Sequence, residues 1–152
     1  MKSFLKIDGG DFSKEVEDEP EIIENNFLAR GFGDSIAWVT FEDGLEQIKK
    51  SDKLMLLLIH KTWCGSCKAL KPKLAASKEF AQMSRHFVMV NTEDEEEPKG
   101  SQFIVDGEYI PRVLFLNPEG KVIDEIWNEG TKHPHVKYYY SGPQECMLTK
   151  LK

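Results

Sequence analysis

Leu54-Met55-Leu56-Leu57-Leu58-Ile59-His60-Lys61-Thr62-Trp63-Cys64-Gly65-Ser66-Cys67-Lys68 is the stretch that decides how this chain folds. A near-continuous apolar run reads as a strand covered on both faces. Two cysteines follow it with two residues between them, and a helix-forming stretch opens at once. If the strand ends near Ile59 and the helix begins at Cys64, the first sulfur sits where free backbone N–H groups and the helix dipole favour negative charge. The thiolate is the nucleophile of cysteine chemistry, so such a position raises its reactive fraction. Cys67, one helical turn on, is placed to attack a mixed disulfide formed at Cys64. The spacing therefore predicts Cys64 and Cys67 as a catalytic redox pair, with Cys64 the solvent-facing nucleophile.

The competing reading of such a pair is half of a zinc site. Completing it falls to Cys146 and four histidines, His60, His86, His133 and His135. His133 and His135 are separated by one residue, not the spacing of a zinc finger, and no second pair of closely spaced cysteines exists. No metal site and no cofactor are expected.

Composition sets the frame. The chain has 152 residues, 40% hydrophobic and 11% aromatic, enough for one domain with its own core. Three cysteines are too few for a disulfide scaffold. No apolar run is long enough to span a membrane. The formal net charge is −6, and residues 1–30 carry eight acids against four bases. That segment reads as an acidic flexible N-terminal segment, with a domain over 31–152. An acidic chain without a basic stripe argues against nucleic acid as a partner.

Along the chain, Ile36–Thr40 is expected as a short first strand and Phe41–Lys50 as a helix. Gly65–Ser84 reads as one long helix, kinked at its second turn by Pro72. Phe87–Asn91 reads as a strand and Glu93–Pro98 as an acidic, solvated loop, since it lacks the ligand spacing of a calcium site. Arg112–Leu116 is a strand, Asn117-Pro118-Glu119-Gly120 a turn, and Lys121–Trp127 its antiparallel hairpin partner. Tyr138–Tyr140 is a short edge strand or extended segment. Ser141 with Gln144 reads as the cap of a closing helix that carries Cys146 off its apolar face. The whole is an α/β fold, a mixed central sheet with helices on both faces.

Trp63 before the cysteines, Pro72 eight residues after Cys64, and Ile110-Pro111 just before a strand together resemble the thioredoxin superfamily. Further stretches, Gly31-Phe32-Gly33-Asp34, His60 to Pro72, Phe87 to Asn91, Glu93 to Pro98 and Tyr109-Ile110-Pro111-Arg112, resemble the group of small endoplasmic-reticulum oxidoreductases that includes the anterior-gradient proteins. The resemblance implies a thioredoxin-like fold, a cis Ile110–Pro111 peptide against the cysteines, and thiol–disulfide exchange during the folding of secretory proteins. It implies Trp63, Ile110 and Pro111 as substrate-binding residues. Partners would be proteins with thiols or disulfides, with glutathione a candidate small partner, and the chain a monomer or weak dimer. The lumen of the endoplasmic reticulum is the implied location. Met1–Gly10 offers no secretory signal core, and the chain stops at Leu151-Lys152 without a retention tetrapeptide, so the cytoplasm is the alternative.

Two departures stand out. The buried acid that many thioredoxins and disulfide isomerases carry six residues before the first cysteine is here Leu58, so water or another nearby group must serve as base for Cys67. Ser66 also replaces the proline or histidine of better-known members. Lys61 and Lys68 are near enough in sequence to add positive potential. His60 is a candidate charge tuner, its plainer reading a surface residue at the strand end. Some anterior-gradient relatives lack one cysteine of the motif, so a non-catalytic chaperone or protein-binding module is the alternative function.

Overall fold

The structure, a computed structural model, describes residues 26–145. Four strands, β1 (Trp38–Val39), β2 (Leu54–His60), β3 (Phe87–Glu93) and β4 (Arg112–Leu116), form one sheet in the order β1-β3-β2-β4. β3 runs parallel to both β1 and β2, and β4 runs antiparallel to β2, with Leu57 opposite Val90 on one side and Leu114 on the other. The mixed sheet is that of a thioredoxin-like fold.

β2 is central, and its side chains alternate between two cores. Met55, Leu57 and Ile59 point into a cluster with Ile48 of helix α1 (Phe41–Ser51), Val88, Val90, Leu114 and Leu116. Leu56 and Leu58 point the other way, against Leu70 and Leu74 of α2 (Gly65–Ala75) and Phe80 of α3 (Lys78–Ser84). This is why the run carries no polar alternation: neither face meets water.

Helix α1 starts where Thr40 accepts the Asp43 N–H at 3.1 Å, and ends at Asp52, whose left-handed backbone returns its N–H to the Ile48 carbonyl at 3.0 Å. Gly44 sits on its inner face, close against Val90 and Met55 of the sheet.

Four expectations are corrected. The long helix over 65–84 is two helices. Pro72 stays inside α2, and the break comes at Ser77, whose hydroxyl accepts the Phe80 N–H at 3.0 Å and starts α3. A capping side chain ended the helix where proline alone did not. The hairpin partner over Lys121–Trp127 shrinks to one bridge between Leu116 and Val122. The Phe115 carbonyl accepts from Ile123 at 2.7 Å, while the Val113 N–H donates to Tyr138 at 2.9 Å. Two irregular segments thus share the edge of β4 that a full hairpin strand would have covered alone. Tyr138–Tyr140 is no strand; Tyr138 and Tyr140 are buried in a turn and an irregular stretch. At Ser141 it is Glu145, not Gln144, that reaches back to the backbone N–H, at 2.6 Å. The rest of the expected closing helix, with Cys146, lies outside the described residues.

Residues 26–30, assigned above to the N-terminal segment, pack on the domain. Ala29 is in the core, and Asn26 donates to the Ile36 carbonyl at 2.8 Å. Among the described residues no helix is long and apolar enough to cross a membrane.

Candidate active site

β2 ends at His60, and Lys61–Trp63 turn the chain into α2. Cys64 is the N-cap of that helix, in extended backbone geometry, and its sulfur accepts the Cys67 N–H at 3.1 Å. A helix start leaves such donors free, and here one is spent on the sulfur. The Cys64 thiol also points at the Ile110 carbonyl, 3.9 Å away. The Ile110–Pro111 peptide is cis and precedes β4. The fold therefore brings Cys64 and Cys67, at the start of α2, together with Ile110 from the loop before β4.

Cys64 is only 7% exposed, against an expectation of open solvent facing, while Cys67 is fully buried and Trp63 is 72% exposed. Cys64 and Cys67 are free thiols. Burial, followed by the hydrogen bond with Cys64, pushes the Cys67 thiol up to about 12, with the Lys61 backbone opposing the rise. Leu58 is buried among Leu56, Leu70 and Leu74, so a leucine side chain stands where the buried acid was expected to be missing.

His60 corrects its plainer reading, since it is fully buried rather than on the surface. Its Nε2 lies 3.0 Å from Asn91 Oδ1, and its ring meets Phe32 edge-on at 4.7 Å. Asn91 Nδ2 donates to the Leu28 carbonyl at 2.7 Å, which turns Oδ1 toward the imidazole and assigns the hydrogen to Nε2. Burial lowers the His60 pKa, more than the Asn91 bond raises it. Lys68 is exposed, as a surface lysine would be.

The acidic loop is the part the sequence did not reveal. Far from being merely solvated, it is a single 3-10 turn over Asp94–Glu96 that grips the motif loop. Asp94 accepts the Thr62 N–H at 2.9 Å and its hydroxyl at 3.0 Å. Glu96 pairs with Arg30 at 2.5 Å. Glu97 binds Lys61 at 2.8 Å through Oε1 and Arg112 at 2.7 Å through Oε2. Burial raises the Glu97 pKa, but the hydrogen bonds from Lys61 and Arg112 outweigh it and hold the carboxylate below its usual range. Arg112 itself is buried, donating to the Tyr109 carbonyl at 2.7 Å and the Phe103 carbonyl at 3.1 Å. One signal was available: an arginine inside a buried strand demands a counter-charge. Among the described residues, no three His, Cys, Asp or Glu side chains are placed to hold a metal ion.

A family model described as thioredoxin-like matches residues 37–118. The chain belongs to the thioredoxin-like family. Within the family it is 39% identical to anterior gradient protein 3 of Mus musculus over 101 residues, 65% of this chain and 60% of that protein. With anterior gradient protein 3 of Xenopus tropicalis it shares 35% identity over 130 residues, 84% of this chain and 76% of that one. The chain thus spans three-fifths of the mouse relative's length. Among solved structures, a DsbH oxidoreductase aligns with a TM-score of 0.47 at 21% identity, over 58% of this chain and 69% of that chain.

Proposed function

We propose that this protein is a thiol–disulfide oxidoreductase that exchanges protein disulfides through Cys64 and Cys67, in the folding of secretory proteins. The observation that carries the reading is the hydrogen bond from the Cys67 N–H to a Cys64 sulfur that caps a helix. A donor already aimed at the sulfur stabilises negative charge as it develops there.

In the reducing direction the Cys64 thiolate attacks one sulfur of a substrate disulfide. A Cys64–substrate disulfide forms, and the other substrate sulfur leaves as a thiolate that takes a proton from solvent. Cys67 then gives up its proton and attacks the Cys64 sulfur. The Cys64–Cys67 disulfide forms, and the second substrate thiolate is released. In the oxidising direction each step reverses: a substrate thiolate opens Cys64–Cys67, and the substrate's second thiolate displaces Cys64. With its thiol pushed up to about 12, Cys67 keeps its proton at neutral pH until this step. Leu58 offers no carboxylate to take that proton, so it passes to water or to a neighbouring base.

Trp63 supplies an exposed aromatic platform beside Cys64, and Ile110 with Pro111 the backbone against which an extended substrate lies. Substrates are proteins with thiols or disulfides, and glutathione is the small thiol that recycles the pair. The oxidising lumen of the endoplasmic reticulum is the compartment that suits this chemistry and the anterior-gradient relatives. The deciding experiment substitutes Cys67→Ser and looks for mixed disulfides trapped on Cys64. Neither trapping nor exchange of the unaltered protein in a glutathione buffer would sink the reading.

The exposure of Trp63 supports a second reading, a protein-binding module whose surface works without redox chemistry. Binding of an unfolded protein that survives the double substitution Cys64→Ser and Cys67→Ser would favour it.

A further inference from the structure

We propose that Glu97 is a positioning residue that ties the two walls of the Cys64–Cys67 site together, holding the motif loop through Lys61 and the Ile110–Pro111 wall through Arg112. The proposal rests on the oxidoreductase reading and deepens it.

One carboxylate spends its two oxygens on two different cations. Oε1 takes Lys61 Nζ at 2.8 Å and Oε2 takes Arg112 Nη2 at 2.7 Å. Lys61 lies in the loop between β2 and α2, and Arg112 directly follows Pro111. Neither cation is idle at its other end. The Lys61 backbone acts on Cys67, opposing the rise that burial imposes on its thiol pKa. Arg112 Nη1 donates to the Tyr109 carbonyl at 2.7 Å, one peptide before the Ile110 carbonyl that faces Cys64 Sγ at 3.9 Å. Cys64 thus faces, and the Cys67 thiol pKa responds to, backbone next to residues that Glu97 holds.

Charge neutralisation of Arg112 alone does not account for this arrangement. It needs only Oε2, and an apolar residue of similar volume would fill a buried strand position at less cost. Recruiting Lys61 as well couples the loop that leads into Cys64 to the start of β4. Lys61 Nζ also donates to the Asp94 carbonyl at 3.0 Å, and Asp94 holds Thr62, so the motif loop is fixed at consecutive residues. Fixing backbone on both sides of a reacting sulfur is what preorganisation requires, and displacements near 1 Å cost on the order of a hundredfold in rate.

The test uses the full chain with Lys61→Met, Glu97→Gln and both together. Reduced protein is reacted with glutathione disulfide, and the rate at which Cys67 expels glutathione from Cys64 is followed by acid quench and mass spectrometry. KM and kcat are measured in parallel on a disulfide-bonded peptide. Both single variants are expected to slow expulsion on the order of tenfold. Glu97→Gln alone also raises KM, because it frees the Arg112 wall too, and the double variant matches Glu97→Gln. Expulsion within about twofold of the unaltered rate in Lys61→Met, or effects that multiply in the double variant, overturns the proposal. Should Glu97→Gln fail to fold, Lys61→Met carries the test, since its side chain is partly exposed. An unaltered protein that does not react with glutathione disulfide defeats the oxidoreductase reading and this one together; a reactive protein with unaffected variants defeats only this one.

Discussion

The Cys67 backbone N–H reaches the Cys64 sulfur at 3.1 Å, so the two ends of the motif are joined by a hydrogen bond while both thiols are free. The bond is directional: the Cys67 N–H donates and the Cys64 sulfur accepts, with Cys67 buried behind its partner.

Alkylation should follow that order. In a Cys146→Ser background, iodoacetamide at neutral pH is expected to modify Cys64 first and Cys67 only slowly, because Cys67 is fully buried and holds its proton up to about 12. Peptide mapping by mass spectrometry reads the order. Equal labelling of both sulfurs would contradict the assignment of roles.

Stability should fall at alkaline pH. Burial and the Cys64 bond push the Cys67 thiol from 9.0 up to about 12, and burial with Asp124 takes Tyr138 from 10.0 up to about 12. A raised folded-state value means that the native protein keeps protons the unfolded chain has lost. The stability is therefore complete below pH 9.0 and drains away as the pH climbs toward about 12. Thermal midpoints across this window should decline, and Cys67→Ala should flatten part of the decline. On the acid side Glu96 and Glu97 sit below their ordinary 4.5, so what they contribute is present above that value and is lost as the pH falls through their depressed ones.

Gly44→Ala is expected to destabilise, against the usual rule. Alanine gains about 1 kcal/mol over glycine in a helix interior. A Cβ at Gly44, however, would lie 2.7 Å from Val90 Cγ2 and 2.9 Å from Met55 Cε. The methionine end can swing aside; the valine is stiff at χ1 and held in β3. Overpacking costs about 1–3 kcal/mol, and denaturant unfolding should show a loss in that range.

Arg112→Lys should not behave as a conservative change. The guanidinium fork serves Glu97 and the Phe103 and Tyr109 carbonyls at once, and a single ammonium cannot reach all three. Each buried carbonyl left unpaired costs about 1–3 kcal/mol. A lysine variant as stable as the parent in urea titration would show that the fork is dispensable.

How much of this was readable beforehand depends on the distance over which each feature is decided. β2 and β4 were legible with their bounds, since an apolar run flanked by polar turns has few alternatives. The placement of Cys64 at a helix start followed from the strand before it. The split at Ser77 was harder: proline is the louder signal, but the serine hydroxyl supplied the new N-terminus. The hairpin after Asn117 was overestimated, because the turn chemistry is local while the competition of Tyr138 for the same strand edge is not. His60 looked like a surface residue until Phe32 and Asn91 closed over it.

By itself the order of residues determined the central strand, the helix that starts at Cys64 and the second sulfur one turn behind it, because these depend on hydrophobic period and backbone donors within a few positions. Folding alone decided that Glu97 meets Lys61 across 36 residues and Arg112 across 15, and that Ile110 meets Cys64 across 46. Ion pairs and close approaches of that kind leave no periodic trace; they exist only once the sheet has brought its strand ends side by side.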